Sequence, residues 1–311
     1  MSTLTHHGST VKGNDGGSPP FIEASQPLRP AIYVYAAGSI ATGLMDLIWR
    51  DFEAAHQPIQ AFGSHIPGRE ILACIAALWL IAGGAAILSR RTARWGAWAL
   101  AAIYIIFAVF WLPRFYTAPH ALGFSIPLLI GLLVGVAQQL ILVAAAVIIH
   151  ASLAVRDSLW RLRAPVLVRW IFGLSSIDFG LAHLTGVPGV AAMVPKWMPF
   201  GGSFWAILTG IAFALAGIAI LSGILDVLAA RLLALMLVVF SVLVLAPGPF
   251  AHPGNHVTWG SNAYNLAAVG AAWIFAESIA GRRRRNAHAF RAEDGLLPPP
   301  PRPPTPAFPQ S

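Results

Sequence analysis

Four ionisable side chains lie in or directly beside long apolar stretches of this sequence, in two closely spaced pairs. Asp46 precedes Arg50 by four residues, and Asp178 precedes His183 by five. An ionisable group within a membrane span costs about 2.5–3.5 kcal/mol on insertion scales, so each one requires a partner or a function. Residues four apart share a helix face, so Asp46 and Arg50 can form an ion pair. Asp178 and His183 point in different directions, and each requires a partner on another helix.

These groups could form a polar pocket at one end of a helical bundle. A neutral His183 could exchange a hydrogen bond with a quinone carbonyl, and Asp178 could relay its proton to water. Trp197, which lies between two prolines, could fold over such a pocket as a lid. The same residues could instead be structural, with Asp46 and Arg50 as an ion pair and the others as helix caps or loop contacts. The sequence leaves both interpretations open.

Residue counts and spacing disfavour several other chemistries. His252 and His256 could bring two imidazoles to one metal ion, but they flank a Pro/Gly turn, and a metal site requires three or four converging ligands. No metal site is therefore predicted. Cys74 is the single cysteine, so the chain holds no disulfide or Cys-x-x-Cys pair. The sequence also lacks a phosphate-binding loop and a nucleophile elbow, and it favours an accessory role or an oxidoreductase subunit over a stand-alone enzyme.

Long apolar segments must position these residues. The chain has 311 residues, of which 57% are hydrophobic and only 10% charged. Its mean hydropathy is +0.69. A soluble domain carries about 25% charged residues, so the composition is typical of a membrane protein. Eight stretches are long enough to cross a bilayer as helices, and the predicted fold is an all-α polytopic membrane bundle. The predicted spans are 31–49, 70–89, 95–112, 124–149, 168–186, 203–222, 228–247 and 262–281.

The positive charges predict the orientation of these spans. With the N-terminus inside, the outer side keeps only Arg50, Arg69, Arg114 and Lys196 of all the lysines and arginines. This positive-inside pattern predicts that both termini are cytoplasmic and that the protein is a multi-pass protein of the inner (cytoplasmic) membrane. The net charge of +8 is then explained by topology and anionic lipid, and no nucleic-acid partner is predicted.

The two halves of the chain show an internal similarity. Residues 81–89 read IAGGAAILS and residues 215–222 read LAGIAILS, and each segment closes the second span of its half. With four spans in each half, the two copies would have the same orientation, as a parallel repeat. The predicted divisions are a disordered cytoplasmic N-terminus (1–30), a first four-helix unit (31–150), a basic linker (151–167), a second four-helix unit (168–281) and a basic, then Pro-rich, disordered tail (282–311).

Three segments of the second half form a pattern. They are GLAH at 180–183, MVPKWMP at 193–199 and FWAILTG at 204–210. With them, residues 168–281 resemble the DoxX-like membrane proteins, which have a His near the end of a first helix, a Pro-x-Trp-x-Pro loop and a Thr-Gly at the start of the second helix. The first half resembles the family only in layout, because Arg50 or Asp51 stands where the His would be. The resemblance implies a four-helix membrane unit, and some members are linked to quinone-dependent sulfur oxidation or to oxidative-stress complexes.

Three functions remain open from the sequence. The first is a DoxX-like accessory or quinone-interacting component of a membrane redox system, with redox partner proteins and a pocket around Asp178, His183 and Trp197. The second is a structural or assembly scaffold without a ligand. The third is a transporter of a small lipophilic solute, because the centres of the spans are almost wholly apolar apart from Gln138 and Gln139.

Overall fold

The computed structural model describes residues 28–56, 67–153 and 159–293. Within these ranges the chain forms helices and turns, and no strand occurs there. The predicted N-terminal segment up to residue 27 lies outside the described residues, as does the Pro-rich part of the predicted tail.

Eight helices in the described ranges are long and apolar enough to cross a membrane, which confirms the prediction of a multi-pass helical bundle. Apolar runs of this length satisfy their backbone hydrogen bonds internally as helices. The long helices are α1 (Arg29–Trp49), α2 (Arg69–Leu88), α3 (Ala93–Phe110), α4 (Ile126–Leu153), α5 (Leu159–Thr185), α6 (Gly202–Ser222), α7 (Asp226–Phe240) and α8 (His256–Glu293). Helix α7 reaches the length of a span together with the helical segments that follow it, over Asp226–Ala251. Shorter helices cover Arg114–Leu122, Val187–Met193 and Pro247–Ala251, and a π-helical turn covers Ser241–Leu245.

The largest differences from the predicted boundaries lie in polar segments. Helix α8 was predicted at 262–281 but spans His256–Glu293, so the first part of the predicted disordered tail, 282–293, is helical. Likewise, the predicted linker 151–167 is helical at both ends, because α4 ends at Leu153 and α5 begins at Leu159. Hydropathy detects only the apolar centre of a helix, whereas arginine and alanine propagate a helix well beyond it.

The long helices are arranged in a closed ring. Each one contacts the next in chain order, and α8 returns to contact α1. Helices α4 and α8 also contact each other across the ring. These two are the most buried spans, with 67% and 72% of their apolar segments buried. The last helix of each half therefore forms the centre of the bundle, and the other helices surround it.

Glycines let neighbouring helices approach closely. A Cβ atom at Gly180 of α5 would lie 2.7 Å from the carbonyl oxygen of Gly210 on α6. Seven residues further along α6, a Cβ at Gly217 would lie 2.6 Å from the carbonyl oxygen of Gly173. Both distances are too short for a side chain, so α5 and α6 pack backbone to backbone along two helical turns.

One end of the bundle carries most of the arginines, and we call it the Arg-rich end. There Asp226, which is fully buried, pairs with Arg169 of α5 at 2.7 Å and with Arg283 of α8 at 2.8 Å. Asp226 is the first residue of α7, so one carboxylate joins three helices. The opposite end, at which α1 ends and α8 begins, we call the Asp46 end.

Candidate functional site

The predicted site residues occupy two separate places in the structure. Asp46 and Arg50 lie at the end of α1, and Asp178 and His183 lie in the last two turns of α5. Trp197 follows the short helix Val187–Met193, in the turn that leads to α6. Of the two places, the end of α1 contains the larger number of buried polar groups.

Asp46 and Arg50 do not pair, contrary to the ion pair that their spacing predicts. Arg50 adopts a left-handed backbone conformation with φ 52°, which ends α1, and its side chain is exposed. The side chain of Asp46 is fully buried, and the side chains that lie beside its carboxyl group within the described residues are His56 and His256. Spacing along an uninterrupted helix could not reveal this, because the helix stops between the two residues.

Four side chains, Asp46, Glu53, His56 and His256, form what we call the Asp46 cluster. The Asp46 carboxylate lies between two imidazoles, with Oδ2 3.9 Å from Nδ1 of His56 and Oδ1 3.5 Å from Nε2 of His256. Its Oδ1 accepts a hydrogen bond of 2.8 Å from the backbone N–H of Glu53. His56 is fully buried, and Glu53 is only 3% exposed.

The turn that carries Glu53 and His56 is held in place by side chains from two other helical segments. The carbonyl oxygen of Ala55 accepts hydrogen bonds from the Trp111 indole at 2.8 Å and from the Gln139 amide of α4 at 3.3 Å. The backbone N–H of His56 donates to the carbonyl oxygen of Glu53 at 2.8 Å. The position of His56 is therefore fixed by the bundle, although this residue lies outside any helix.

A glycine on α8 makes room for Glu53. A Cβ at Gly260 would lie 2.6 Å from Cγ of Glu53, so any larger residue would displace the glutamate. The Glu53 carboxylate accepts a hydrogen bond from the backbone N–H of Ala55 at 2.6 Å. Burial raises the pKa of Glu53 above its ordinary value, and the neighbouring Asp46 adds to this rise. The nearby His56, the hydrogen bond from Ala55 and, most weakly, His256 oppose it.

Aromatic rings surround the two imidazoles. The His56 ring stacks on Phe107 with centroids 4.1 Å apart and an interplanar angle of 11°. Tyr104 and Tyr264 lie 6.2 and 6.1 Å from the same ring. The His256 ring stacks on Trp49 at 5.1 Å. The hydroxyl of Tyr264 donates to the backbone at Gln138, and that of Tyr104 contacts Ser39. The tyrosine rings thus lie beside His56 in tilted and edge-on arrangements, while their hydroxyls form hydrogen bonds elsewhere.

Several buried polar atoms of this region have no hydrogen-bond partner among the described residues. They are Oδ2 of Asp46, both ring nitrogens of His56, Nε2 of His256 and Oε1 of Gln139. Buried polar atoms are almost always paired with protein, water or a ligand, and each exception requires an explanation. Both donors and acceptors are present here, which suits a small polar group. In the described part of the chain, no group of three or more His, Cys, Asp and Glu side chains is arranged to hold a metal ion.

Within the described residues, the structure shows no contact that joins the three residues of the pocket predicted in the second half. Nδ1 of His183 donates to the Phe179 carbonyl oxygen of its own helix at 2.8 Å, and its ring packs against Phe213. Asp178 is half-buried, and its Oδ2 has no partner among the described residues. Trp197 is 70% exposed, and no hydrogen bond, ion pair or ring contact described in the structure joins it to either residue.

The sequence analysis did not place Glu53, His56 or His256 beside Asp46. Glu53 and His56 lie in a turn after α1, and His256 begins α8, so none of them interrupts an apolar segment. The available signal was the bias of the histidines, including His56 and His256, towards the predicted outer side. That bias places several histidines at the same end of the spans, but it does not show which of them meet Asp46.

Glu53 gives the cluster a pH dependence that can be measured. An acid whose pKa is raised by folding stabilises the folded state below its ordinary pKa, and this contribution is lost as the pH rises through the folded-state pKa. We therefore expect the melting temperature of the wild type to fall as the pH rises above the ordinary pKa of glutamate. Glu53→Gln should reduce this fall, whereas Glu70→Gln, at an exposed position in the first turn of α2, should leave it unchanged. Identical melting curves for wild type and Glu53→Gln across this pH range would contradict the assignment.

No family model matches this chain, and neither does any curated protein or solved structure. The geometry of the site must therefore carry the functional argument.

Proposed function

We propose that this protein binds the head group of a quinone at the Asp46 cluster, as an accessory component of a membrane redox system. The observation that carries the proposal is the imidazole of His56. It is fully buried, stacks on Phe107, lies beside the Asp46 carboxylate, and has two ring nitrogens without a partner among the described residues.

The cluster has the chemical features that a quinone requires. A quinone head group is a flat apolar ring with carbonyl acceptors, so it needs aromatic neighbours and N–H donors. An imidazole beside a carboxylate donates to a carbonyl oxygen when it is protonated and accepts from a quinol hydroxyl when it is neutral. Phe107, Tyr104 and Tyr264 supply aromatic rings around His56. His256, whose side chain is 14% exposed, is the member of the cluster closest to the surface.

The acidic residues provide a route for protons. A quinone takes up two electrons and two protons when it is reduced to a quinol. In this proposal a partner oxidoreductase supplies the electrons, and the Asp46 cluster exchanges the protons. Glu53 suits this role, because burial raises its pKa and lets the carboxyl hold a proton at a higher pH than an exposed glutamate.

A binding titration tests the proposal. Protein in mild detergent would be titrated with a short-chain quinone and followed by calorimetry. We expect His56→Ala to weaken binding about tenfold, the equivalent of one hydrogen bond in a buried site. The exposed His120→Ala, on the short helix Arg114–Leu122, is the control and should bind as the wild type does. Equal affinity of His56→Ala and the wild type would exclude this site.

We infer, too, that the two halves are a parallel repeat. In the first half the His56 ring contacts Phe107 of α3, and in the second half the His183 ring contacts Phe240 of α7. Each phenylalanine is the fifteenth residue of the third long helix of its half. This correspondence supports a shared ancestral unit, and the layout of four helices per half is compatible with the resemblance of residues 168–281 to DoxX-like proteins.

We propose the orientation and the membrane from the distribution of the arginines. The clustering of arginines at the Arg-rich end favours a cytoplasmic location for that end and, therefore, for both termini. The Asp46 cluster would then lie at the outer face of the cytoplasmic membrane. Fusion of a reporter that is active only in the cytoplasm to the C-terminus tests this orientation, and an inactive reporter would contradict it.

A further inference from the structure

A groove of about 260 Å³ lies between α7 and α8 at the Arg-rich end. Leu235 and Val238 of α7 line it on one side and Trp273 of α8 on the other, while Arg231 and Glu277 close one end. The groove is thus apolar along most of its length and charged at one end. It shares no residue with the Asp46 cluster, which lies at the opposite end of α8.

The length of α8 bears on the membrane depth of the charged end of the groove. Glu277 follows His256, the first residue of α8, by 21 residues. At 1.5 Å per residue this is about 31 Å along the helix, close to the roughly 30 Å thickness of the hydrocarbon core. Trp273 lies one helical turn before Glu277. In membrane proteins indole rings are enriched at this boundary between acyl chains and head groups. With His256 at one edge of the hydrocarbon core, the apolar part of the groove would face acyl chains and its charged end would face phosphates.

The charged end of the groove has more positive than negative side chains. Arg231 and Arg284 both face the Glu277 carboxylate, with N–O distances of 3.4 and 3.8 Å. Both distances exceed the roughly 2.7–2.9 Å of a strong charge-assisted hydrogen bond. The two arginine side chains are 53% and 54% exposed, whereas Glu277 is 14% exposed. One carboxylate thus meets two guanidinium groups, and each guanidinium keeps N–H donors for an additional anion.

We propose that this groove binds an anionic glycerophospholipid. The lipid phosphate lies between Arg231 and Arg284, and one acyl chain follows the groove past Trp273 and Val238. Two features select this occupant: the excess positive charge at the depth of the head groups and the apolar groove that continues from it towards the centre of the bilayer. A soluble phosphate would contact only the charged end of the groove. A zwitterionic lipid would add its own cationic group to a site in which two guanidinium groups already face one carboxylate.

The test is to count bound lipid by native mass spectrometry after titration with phosphatidylglycerol or phosphatidylcholine in mild detergent. We expect the wild type to retain phosphatidylglycerol in preference to phosphatidylcholine. Each of Arg231→Gln and Arg284→Gln should weaken retention of phosphatidylglycerol about fivefold, the contribution of one basic residue near an anionic surface. Arg291→Gln is the matched control, because Arg291 is exposed on the same helix two turns further from the bilayer.

A second variant separates a lipid site from a structural ion pair. Glu277→Gln removes the carboxylate that competes with the phosphate for both guanidinium groups, so phosphatidylglycerol should bind more tightly than in the wild type. If instead Glu277 has only a structural role, joining α8 to α7 through Arg231, then Glu277→Gln would loosen the groove and reduce lipid binding. The proposal is overturned if Glu277→Gln binds phosphatidylglycerol no better than the wild type, if Arg291→Gln loses as much lipid as Arg231→Gln, or if inorganic phosphate alone displaces the lipid completely.

Discussion

Asp46→Ala is expected to lower the free energy of unfolding by about 1–3 kcal/mol, because the buried N–H of Glu53 loses its acceptor. The same change removes the carboxylate that faces His56 and His256, so bound quinone should be lost as well. Asp46→Asn separates the two effects. Its amide oxygen can still accept from Glu53, but it carries no charge, so this variant should fold more stably than Asp46→Ala and still bind quinone weakly.

Asp51→Asn is the matched control for these variants. Asp51 lies five residues after Asp46 and forms an ion pair of 2.7 Å with Arg69, in which both side chains are partly exposed. This pair is bidentate, and a partly exposed pair contributes up to about 1 kcal/mol. The Asn side chain keeps an oxygen that can accept from the backbone N–H of Phe52, so Asp51→Asn should melt closer to the wild type than Asp46→Ala does and keep its quinone. Thermal melts in detergent measure the stability. If Asp46→Ala and Asp51→Asn have the same melting temperature, the buried carboxylate of Asp46 does not stabilise this end of the bundle.

Gly260→Leu is expected to have the second large effect. Its side chain would occupy the space of Glu53, since even a Cβ would lie 2.6 Å from Cγ of that residue. Overpacking a buried contact costs about 1–3 kcal/mol, and here it also displaces the turn that carries His56. We therefore expect a lower melting temperature together with loss of quinone.

Gly131→Leu is the control for the glycine variant. Gly131 lies within α4, and a Cβ at this position would meet nothing within 4 Å. The control makes the same change in composition inside a membrane span without a clash. Equal melting temperatures and equal quinone content in the two variants would show that Glu53 does not need the space that Gly260 leaves.

The number of helices could be predicted from the sequence because membrane insertion depends on local composition. Each span requires an apolar run of sufficient length, and such a run can be recognised in the sequence without knowing which helices it contacts. The boundaries of α8 could not be read in this way, since its ends are polar and continue the helix beyond the apolar centre. Hydropathy therefore locates the spans but underestimates the length of the helices.

The site depends on contacts that local composition does not contain. Asp46 meets His256 because α8 returns to α1, more than two hundred residues along the chain. The left-handed backbone at Arg50 turns that side chain away from Asp46, and the small size of Gly260 admits Glu53. None of these features follows from the periodicity of one helix. The prediction that polar groups in the spans mark a site led to Asp46, but its actual partners depend on the packing of whole helices.

The measurement that tests the central claim most directly is the quinone content of purified protein. Wild type, His56→Ala and His183→Ala would be purified in mild detergent, and their extracted lipids quantified by mass spectrometry. His183 is a matched control, because its ring also packs against a phenylalanine of the third long helix of its half. We expect quinone in wild type and His183→Ala and its loss in His56→Ala. Loss in His183→Ala alone would move the site to the second half, and absence of quinone from the wild type would contradict the proposed function.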